Sequence, residues 1–530
     1  MKKAFTVVCL ILAVQNILAQ KDVSESYANI ISINLLKKHL TVIASAEMEG
    51  RETGTIGQRK AAAYIEAQFK AIGLKAPVAL NGSYQQLYPL NQDSMDVTAS
   101  LVKIDNSQLV YGTDYFVTAI NNSNKTIDGN QFVFVGYGIS DDKYDEYKNL
   151  DVTGKVVVML LGEPKAGGKY LLTGSAKNSK YTYPGVAVKM QIAAQKGAIA
   201  AIVINPAMPL LTERVVANNS KTAVYYPAAG KGDKTNYLVA SFETAKRVFA
   251  KWPIDSLINA AKLSAIFETT HYEQINASFN FQFKKEKQVI KASNVLGVVE
   301  GSDKKDEYVF VTGHYDHLGI RGDIIYYGAD DDGSGTCGVM AMAEAFAKAK
   351  ADGQGPRRTM VFMTVSGEEK GLWGSQYYSE NPIYPLDKTT VDLNIDMVGR
   401  YDTERNLPDT LNYVYVIGHD KLSSDLPVIN EAANNKYTNL VLDYKYDDPQ
   451  DVNRIYFRSD HYNFARKGVP VLFFYDGMLK ADYHKPTDTI EKINWDLYQK
   501  RIKLIFYTAW EIANRNEMLK RDLPPVEGER

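Results

Sequence analysis

Cysteine is nearly absent from this chain: Cys9 and Cys337 are the only two among 530 residues. Two thiols cannot build a disulfide framework or a four-cysteine zinc site. An excess of either charge is missing too, since 61 lysines and arginines stand against 62 aspartates and glutamates. A formal charge of −1 provides no bulk basic field, which argues against nucleic acid as a partner. Beyond the N-terminus no apolar run approaches the ~20 residues needed to cross a bilayer, so no stable membrane insertion is expected. No glycine-rich phosphate loop or dinucleotide fingerprint follows a strand-like run, and the nucleophile-elbow pattern is not met at Ser334. Asp330-Asp331-Asp332-Gly333 lacks the alternating spacing and distal glutamate of a calcium loop. There is no internal repeat.

What is present is ordinary globular material, 45% hydrophobic and 11% aromatic, which excludes a largely disordered chain. At one domain per ~100–200 residues the length predicts two or three units. Lys2 and Lys3 precede an apolar run from Ala4 to Val14, and a small residue, Ala19, follows. This reads as a secretory signal peptide over 1–19 and predicts export to the periplasm or the medium. Cys9 lies within the apolar run, too early for a lipoprotein cleavage site, so Cys337 would be the one thiol of the exported chain.

Residues from about 34 to 75 carry helical spacing, with Ala62, Ile65 and Phe69 on one face and Gly73 as terminator. Glu49-Gly50-Arg51-Glu52-Thr53-Gly54 interrupts them as a turn-rich loop. From 95 to 275 short apolar runs bounded by glycine, such as 131–138 and 154–161, read as buried strands. We expect a β-rich insert there, with a helix from Ala187 to Lys196. From 276 onward strand-like runs at 308–312, 359–365, 393–395 and 469–474 alternate with helical stretches such as Thr336–Lys350. The pattern predicts a mixed α/β sheet covered by helices on both faces, with its ligand site at the carboxyl ends of the strands. The division is then 1–19 signal, 20–94 first part of the main domain, 95–275 insert, and 276–530 the main domain.

Five polar clusters stand at those strand ends. They are Gly313-His314-Tyr315-Asp316-His317, Gly328-Ala329-Asp330-Asp331-Asp332-Gly333-Ser334-Gly335, Ser366-Gly367-Glu368-Glu369-Lys370-Gly371, Asp396-Met397-Val398-Gly399-Arg400, and Tyr483-His484. Taken singly each has a bland explanation: a turn residue, a helix cap, a solvated face. Together they place imidazoles and carboxylates at the ends of successive strands of one sheet. Carboxylates converging there would repel one another without a cation, and mixed histidine and carboxylate donors suit zinc.

The order of these motifs resembles the di-zinc aminopeptidases secreted by bacteria, which belong with the glutamate carboxypeptidase II relatives. The signs are His-x-Asp, Ala-Asp-Asp-Asp-Gly-Ser-Gly, Glu-Glu-x-Gly-Leu-x-Gly-Ser, Ile-Asp-Met, Ser-Asp-His and Tyr-His. Gly136-Tyr137-Gly138-Ile139 and 151–157 resemble a protease-associated domain. The resemblance implies two zinc ions and peptide substrates, and leaves the oligomeric state open. It implies His314 and Asp396 on one ion, Glu369 and His484 on the other, and Asp331 bridging both. Glu368 is implied as general base for a hydroxide shared by the ions, Asp316 as hydrogen-bond partner of His314, and Tyr483 as a stabiliser of the tetrahedral intermediate. His461 competes with His484 for the ligand role; His484 is favoured because Thr487-Asp488-Thr489 follows it, which leaves His461 a pocket or supporting role. Glu368 and Glu369 are expected to diverge from an extended strand end. The implied activity is removal of N-terminal residues. The alternatives are a carboxypeptidase or dipeptidase of the same fold, then a glutaminyl cyclase or a receptor-like binding protein.

Overall fold

The computed structural model describes residues 22–227, 234–448 and 450–526. The expected signal segment, 1–19, lies outside them. The chain divides into two compact units, one formed by the residues up to Tyr88 together with those from Lys291 onward, the other by Pro89–Ile290.

The first unit is built on an eight-stranded mixed sheet. In chain order its strands are β1 Gln85–Met95, β2 Lys285–Val299, β3 Lys304–His314, β4 Arg358–Val365, β5 Thr389–Ile395, β6 Tyr413–Ile417, β7 Val441–Asp443 and β8 Val471–Tyr475. They lie in the order β1-β2-β4-β3-β5-β8-β6-β7. The four central strands β4, β3, β5 and β8 run parallel, in a register that pairs Val311 with Phe362 and Leu393, and Leu393 with Leu472. Their carboxyl ends therefore share one edge of the sheet, where an open α/β sheet places its ligand.

Side chains alternate strictly across this sheet. Val309, Val311, Phe362, Leu393, Ile395 and Phe474 join the core on one face, and Phe310, Val361, Met363, Val365 and Phe473 the core on the other. Helices Ile33–Ile43, Ile56–Ala71, Gly335–Ala351 and Trp495–Asn514 cover the first face. Helices Trp373–Glu380 and His461–Ala465 pack on the second. The fold is thus the mixed sheet with helices on both faces that the sequence predicts.

The helix Gly335–Ala351 needs its small residues. A Cβ at Gly335 would lie 2.1 Å from the Ile395 carbonyl oxygen, and one at Gly338 would lie 2.4 Å from Ile502 Cδ1. The close approach sets this helix directly behind the strand ends. The helical reading of 34–75 holds for Ile33–Ile43 and for Ile56–Ala71, where Thr55 caps the start by accepting from the Gln58 N–H. Between them Ala46–Arg51 forms a tight turn with Glu49 and Gly50 at positive φ.

That turn delivers Arg51 into the interior. Its guanidinium is fully buried and donates to the carbonyls of Ile43, Tyr315, Tyr327 and Gly328 at 2.7–2.8 Å. One cation thus ties the segment before the insert to the two loops that carry the first two polar clusters.

The second unit has its own eight-stranded mixed sheet. Ile275–Phe283, Lys125–Phe134, Val156–Leu160, Ala200–Ile204 and Asn236–Ala240 lie side by side in it. Among the described residues four helices accompany the sheet: Val186–Gln195, Glu213–Ser220, Phe242–Val248 and Ile254–Lys262. The sequence reading closed this insert at 275; the compact unit runs to Ile290, since Ile275–Phe283 pairs with both Leu101–Ile104 and Lys125–Phe134.

Replacing Arg51 with Met should take the donor from the carbonyls of Ile43, Tyr315 and Tyr327, leave Gly328 with the Gly333 N–H alone, and cost at least about 3 kcal/mol of stability, at ~1–3 kcal/mol per orphaned group with partial relaxation. Urea unfolding monitored by circular dichroism checks this; a loss below about 1 kcal/mol would contradict it.

Candidate metal centre

The three consecutive aspartates are all buried, and they divide the work. Asp332 turns to the main chain: one oxygen accepts from the His314 N–H at 3.1 Å, the other from Gly335 at 2.7 Å and Met397 at 3.0 Å. Asp330 accepts from the Gly399 N–H at 2.8 Å and from the Ser334 hydroxyl at 3.1 Å. Asp488 receives the N–H groups of Asp330 and Asp331 at 3.1 Å. With its neighbours so engaged, only Asp331 points its carboxylate into the site.

Each Asp331 oxygen faces a different imidazole. Oδ1 lies 3.3 Å from His314 Nε2, and Oδ2 lies 3.2 Å from His484 Nε2. His314 Nε2 is also 3.6 Å from Asp396 Oδ1, and His484 Nε2 is 2.9 Å from Glu369 Oε2. The five residues implied as ligands therefore converge as two groups sharing Asp331. His314, Asp331 and Asp396 form one cluster of donor atoms lying within 4.8 Å of one another. His317, Asp331 and Glu369 form another. His317 is the residue that sequence reasoning quoted but gave no task, and its position three residues past His314 was the available signal.

Asp396 is held from beneath by a polar chain through the core. The Ser459 hydroxyl donates to Asp396 Oδ2 at 2.6 Å and receives the Asn394 amide at 2.8 Å. His461 lies apart from the donor cluster, stacked on Phe473 at 4.7 Å and edge-on to Tyr456 at 5.6 Å. Burial pushes its pKa down to about 3, so it stays neutral.

One expectation changes. Glu368 and Glu369 do not extend from a strand, because β4 ends at Val365 and Gly367, at φ +79°, reverses the chain. The Gly371 and Leu372 N–H groups then close a turn onto the Glu368 carbonyl at 2.8 and 3.0 Å. Asp316, expected as hydrogen-bond partner of His314, meets Nδ1 with its main-chain carbonyl at 3.1 Å, while its carboxylate stands 3.6 Å away. The Asp316 carboxylate instead accepts from the Glu368 N–H at 3.2 Å and the Thr53 hydroxyl at 2.7 Å. It positions the Glu368 turn.

The charges are mutually dependent. Burial works against the charged form of His314, but Asp396 and Glu368 outweigh it and raise the imidazole well above its usual range. His484 loses some basicity to burial and regains more from Asp331 and Glu369, ending at about 10. Burial raises the Glu368 carboxyl well above the carboxylate range; His314 opposes this, and Glu369 and Asp396 add to it. Burial also raises Asp331, but the His314 and His484 imidazoles beside it bring it well below its usual value. Without a metal, protons on the imidazoles do the neutralising.

The donors fit zinc. They are imidazole nitrogens and carboxylate oxygens without sulfur, and His314 Nε2, Asp331 Oδ2 and Glu369 Oε1 are buried with no hydrogen-bond partner. Beside them is a pocket lined by Met397, Ile455, Phe473, Leu479 and Tyr483, with Arg458 and Asp396. Tyr483 stacks on His484 with centroids 3.8 Å apart, and its hydroxyl accepts from Arg458 Nη2 at 3.0 Å.

Comparison with known proteins agrees with this geometry. Residues 294–509 match the profile of Peptidase family M28, and residues 97–235 match the PA domain. Residues 294–509 are thus similar to family M28, and residues 97–235 to the PA domain. A probable leucine aminopeptidase of Arthroderma otae is 27% identical over 232 residues, covering 43% of this chain and 59% of that protein. A probable zinc metalloprotease of Leptosphaeria maculans is 34% identical over 125 residues, covering 23% of this chain and 27% of that protein. These matches thus span between about a quarter and three fifths of the relatives' lengths. The aminopeptidase structure from Aneurinibacillus sp. strain AM-1 aligns with 95% of this chain and 100% of its own, at 17% identity and a TM-score of 0.49.

Because His484 holds its proton up to about pH 10 in the metal-free site, zinc must displace that proton to bind. Zinc affinity should rise about tenfold per pH unit between pH 6.5 and 8.5 for one displaced proton. Zinc-buffered titrations at three pH values measure this; a flat affinity would contradict it.

Proposed function

We propose that this chain is a zinc-dependent metallo-aminopeptidase that binds two zinc ions and removes N-terminal residues from peptides. The observation that carries the reading is the Asp331 carboxylate, with one oxygen toward His314 and the other toward His484. His314 and Asp396 would hold one ion, Glu369 and His484 the other, and Asp331 both. Zinc supplies Lewis acidity there, lowering the pKa of water and polarising the peptide carbonyl.

The rest falls to side chains. Glu368 is the general base. Its Oε2 stands 3.8 Å from His314 Nε2, and its main chain is fixed by Asp316. Burial raises its proton affinity, so it can take a proton from the attacking water and deliver it to the departing amine. Tyr483, beside Glu368 in the pocket wall, is placed to donate its hydroxyl proton to the developing oxyanion. The apolar wall of Met397, Ile455, Phe473 and Leu479 suits the side chain of an N-terminal residue.

One feature favours a second reading, a dipeptidase or carboxypeptidase. Lys370, Arg454 and Arg458 line the adjoining cleft together with Glu368 and His484. Cations beside the reacting groups suit a substrate carboxylate.

Glu368→Gln should retain bound zinc and lose about 10²–10⁴ of kcat, the usual worth of a positioned base. Metal analysis with turnover of an amino-acid arylamide measures both, and a fully active variant would remove Glu368 from the role. A panel of arylamides, free dipeptides and N-blocked peptides separates the two readings. An aminopeptidase cleaves the first two and leaves N-blocked peptides intact; a carboxypeptidase cleaves the N-blocked peptides and leaves the arylamides.

A further inference from the structure

His317 is fully buried, yet neither of its ring nitrogens has a hydrogen-bond partner. Its Nδ1 lies 2.7 Å from Glu369 Oε1 and 3.9 Å from Asp331 Oδ2, and these two oxygens are themselves without partners. A nitrogen and a carboxylate oxygen at 2.7 Å are close enough for a strong hydrogen bond, but their alignment is not that of one. Lone-pair atoms that crowd together without pointing at each other converge on a third point, as ligands of one cation do. His484 reaches the same place from the other side, with Nε2 at 2.9 Å from Glu369 Oε2 and 3.2 Å from Asp331 Oδ2.

The fold makes room for this ring at the expense of a side chain. Gly328 has φ +55°, and a Cβ there would lie 2.5 Å from both Cγ and Cδ2 of His317. The His317 N–H is anchored to the Arg51 carbonyl at 3.4 Å, and its ring meets the His484 ring edge-on at 6.0 Å. The imidazole is thus wedged in a fixed orientation with a nitrogen aimed into the donor cluster.

We propose that His317 is a fourth protein ligand, through Nδ1, of the ion held by Asp331, Glu369 and His484. This rests on the zinc reading given above. It makes the two positions unequal. The His317 position is closed by four protein donors, whereas the His314 position has three, with Glu368 beside it. Closed four-ligand zinc sites are structural, and three-ligand sites keep a coordination place for water or substrate. The His317 position would therefore take up zinc first and release it last, and the His314 position would exchange it more readily.

The test is metal binding by the whole chain. Metal-free protein given one equivalent of Zn²⁺ should show two imidazoles per zinc by X-ray absorption, those of His317 and His484. One imidazole per zinc overturns the assignment and leaves His317 as a hydrogen-bonding neighbour of Glu369. His317→Gln and His317→Ala, checked for folding by circular dichroism, should weaken the tighter step of a zinc-buffer titration by at least tenfold, with the weaker step unchanged within about twofold. A tighter step equal to that of the unaltered protein overturns the proposal while leaving the zinc peptidase reading intact. If the unaltered protein takes up no zinc, both fall together.

Discussion

Everything at the strand ends depends on one constraint: Asp331 must face two imidazole groups at once, without a competing bond. Its neighbours secure that. Asp332 spends its oxygens on three main-chain N–H groups, from His314 at the end of strand β3, Gly335 at the start of its helix, and Met397 just after strand β5. Asp330 does the same for Gly399. The buried negative charge that looks expensive is therefore also what sets the loops in register. Only the central carboxylate is left needing a cation. Gly335 belongs to the same arrangement, because only a residue without a side chain lets the helix begin beneath the Ile395 carbonyl.

Catalytic and supporting roles separate along similar lines. Asp316 acts on the Glu368 main chain, Ser459 on Asp396, and Asp488 on the two N–H groups around Asp331. None of these partners lies close in sequence to the group it serves. Glu368, Asp396 and Asp331 are each held in this way by a second residue.

The five-residue donor set came from the resemblance of the motif order to a known family, and three of the five clusters, at 313–317, 366–371 and 396–400, follow directly on apolar runs that read as strands. The central strands were equally plain, being short and rich in valine and phenylalanine. What stayed hidden shares a physical cause. Strand β6, Tyr413–Ile417, is buried on both faces and so shows no polar alternation to mark it. His317 could not be told from a satisfied core histidine, because its partners Glu369 and Gly328 are set by the fold. The turn holding Glu368 and Glu369 depends on Gly367 adopting positive φ, a choice made in the packed structure. Strand Ile275–Phe283 falls beyond the expected insert, because its partners Leu101–Ile104 and Lys125–Phe134 lie far back in the chain.

The buried guanidinium of Arg51 has a bearing on how the chain is made. Its four carbonyl partners come from Ile43, just before it, and from Tyr315, Tyr327 and Gly328, long after it. On the ribosome, the whole of Pro89–Ile290 is synthesised between those two sets of partners. The early helices must therefore wait, with an apolar face uncovered and an arginine unpaired, until strand β3 and the loop behind it arrive. A nascent chain cut off anywhere inside the insert is left with an orphaned N-terminal piece, a natural target for chaperones and proteases alike.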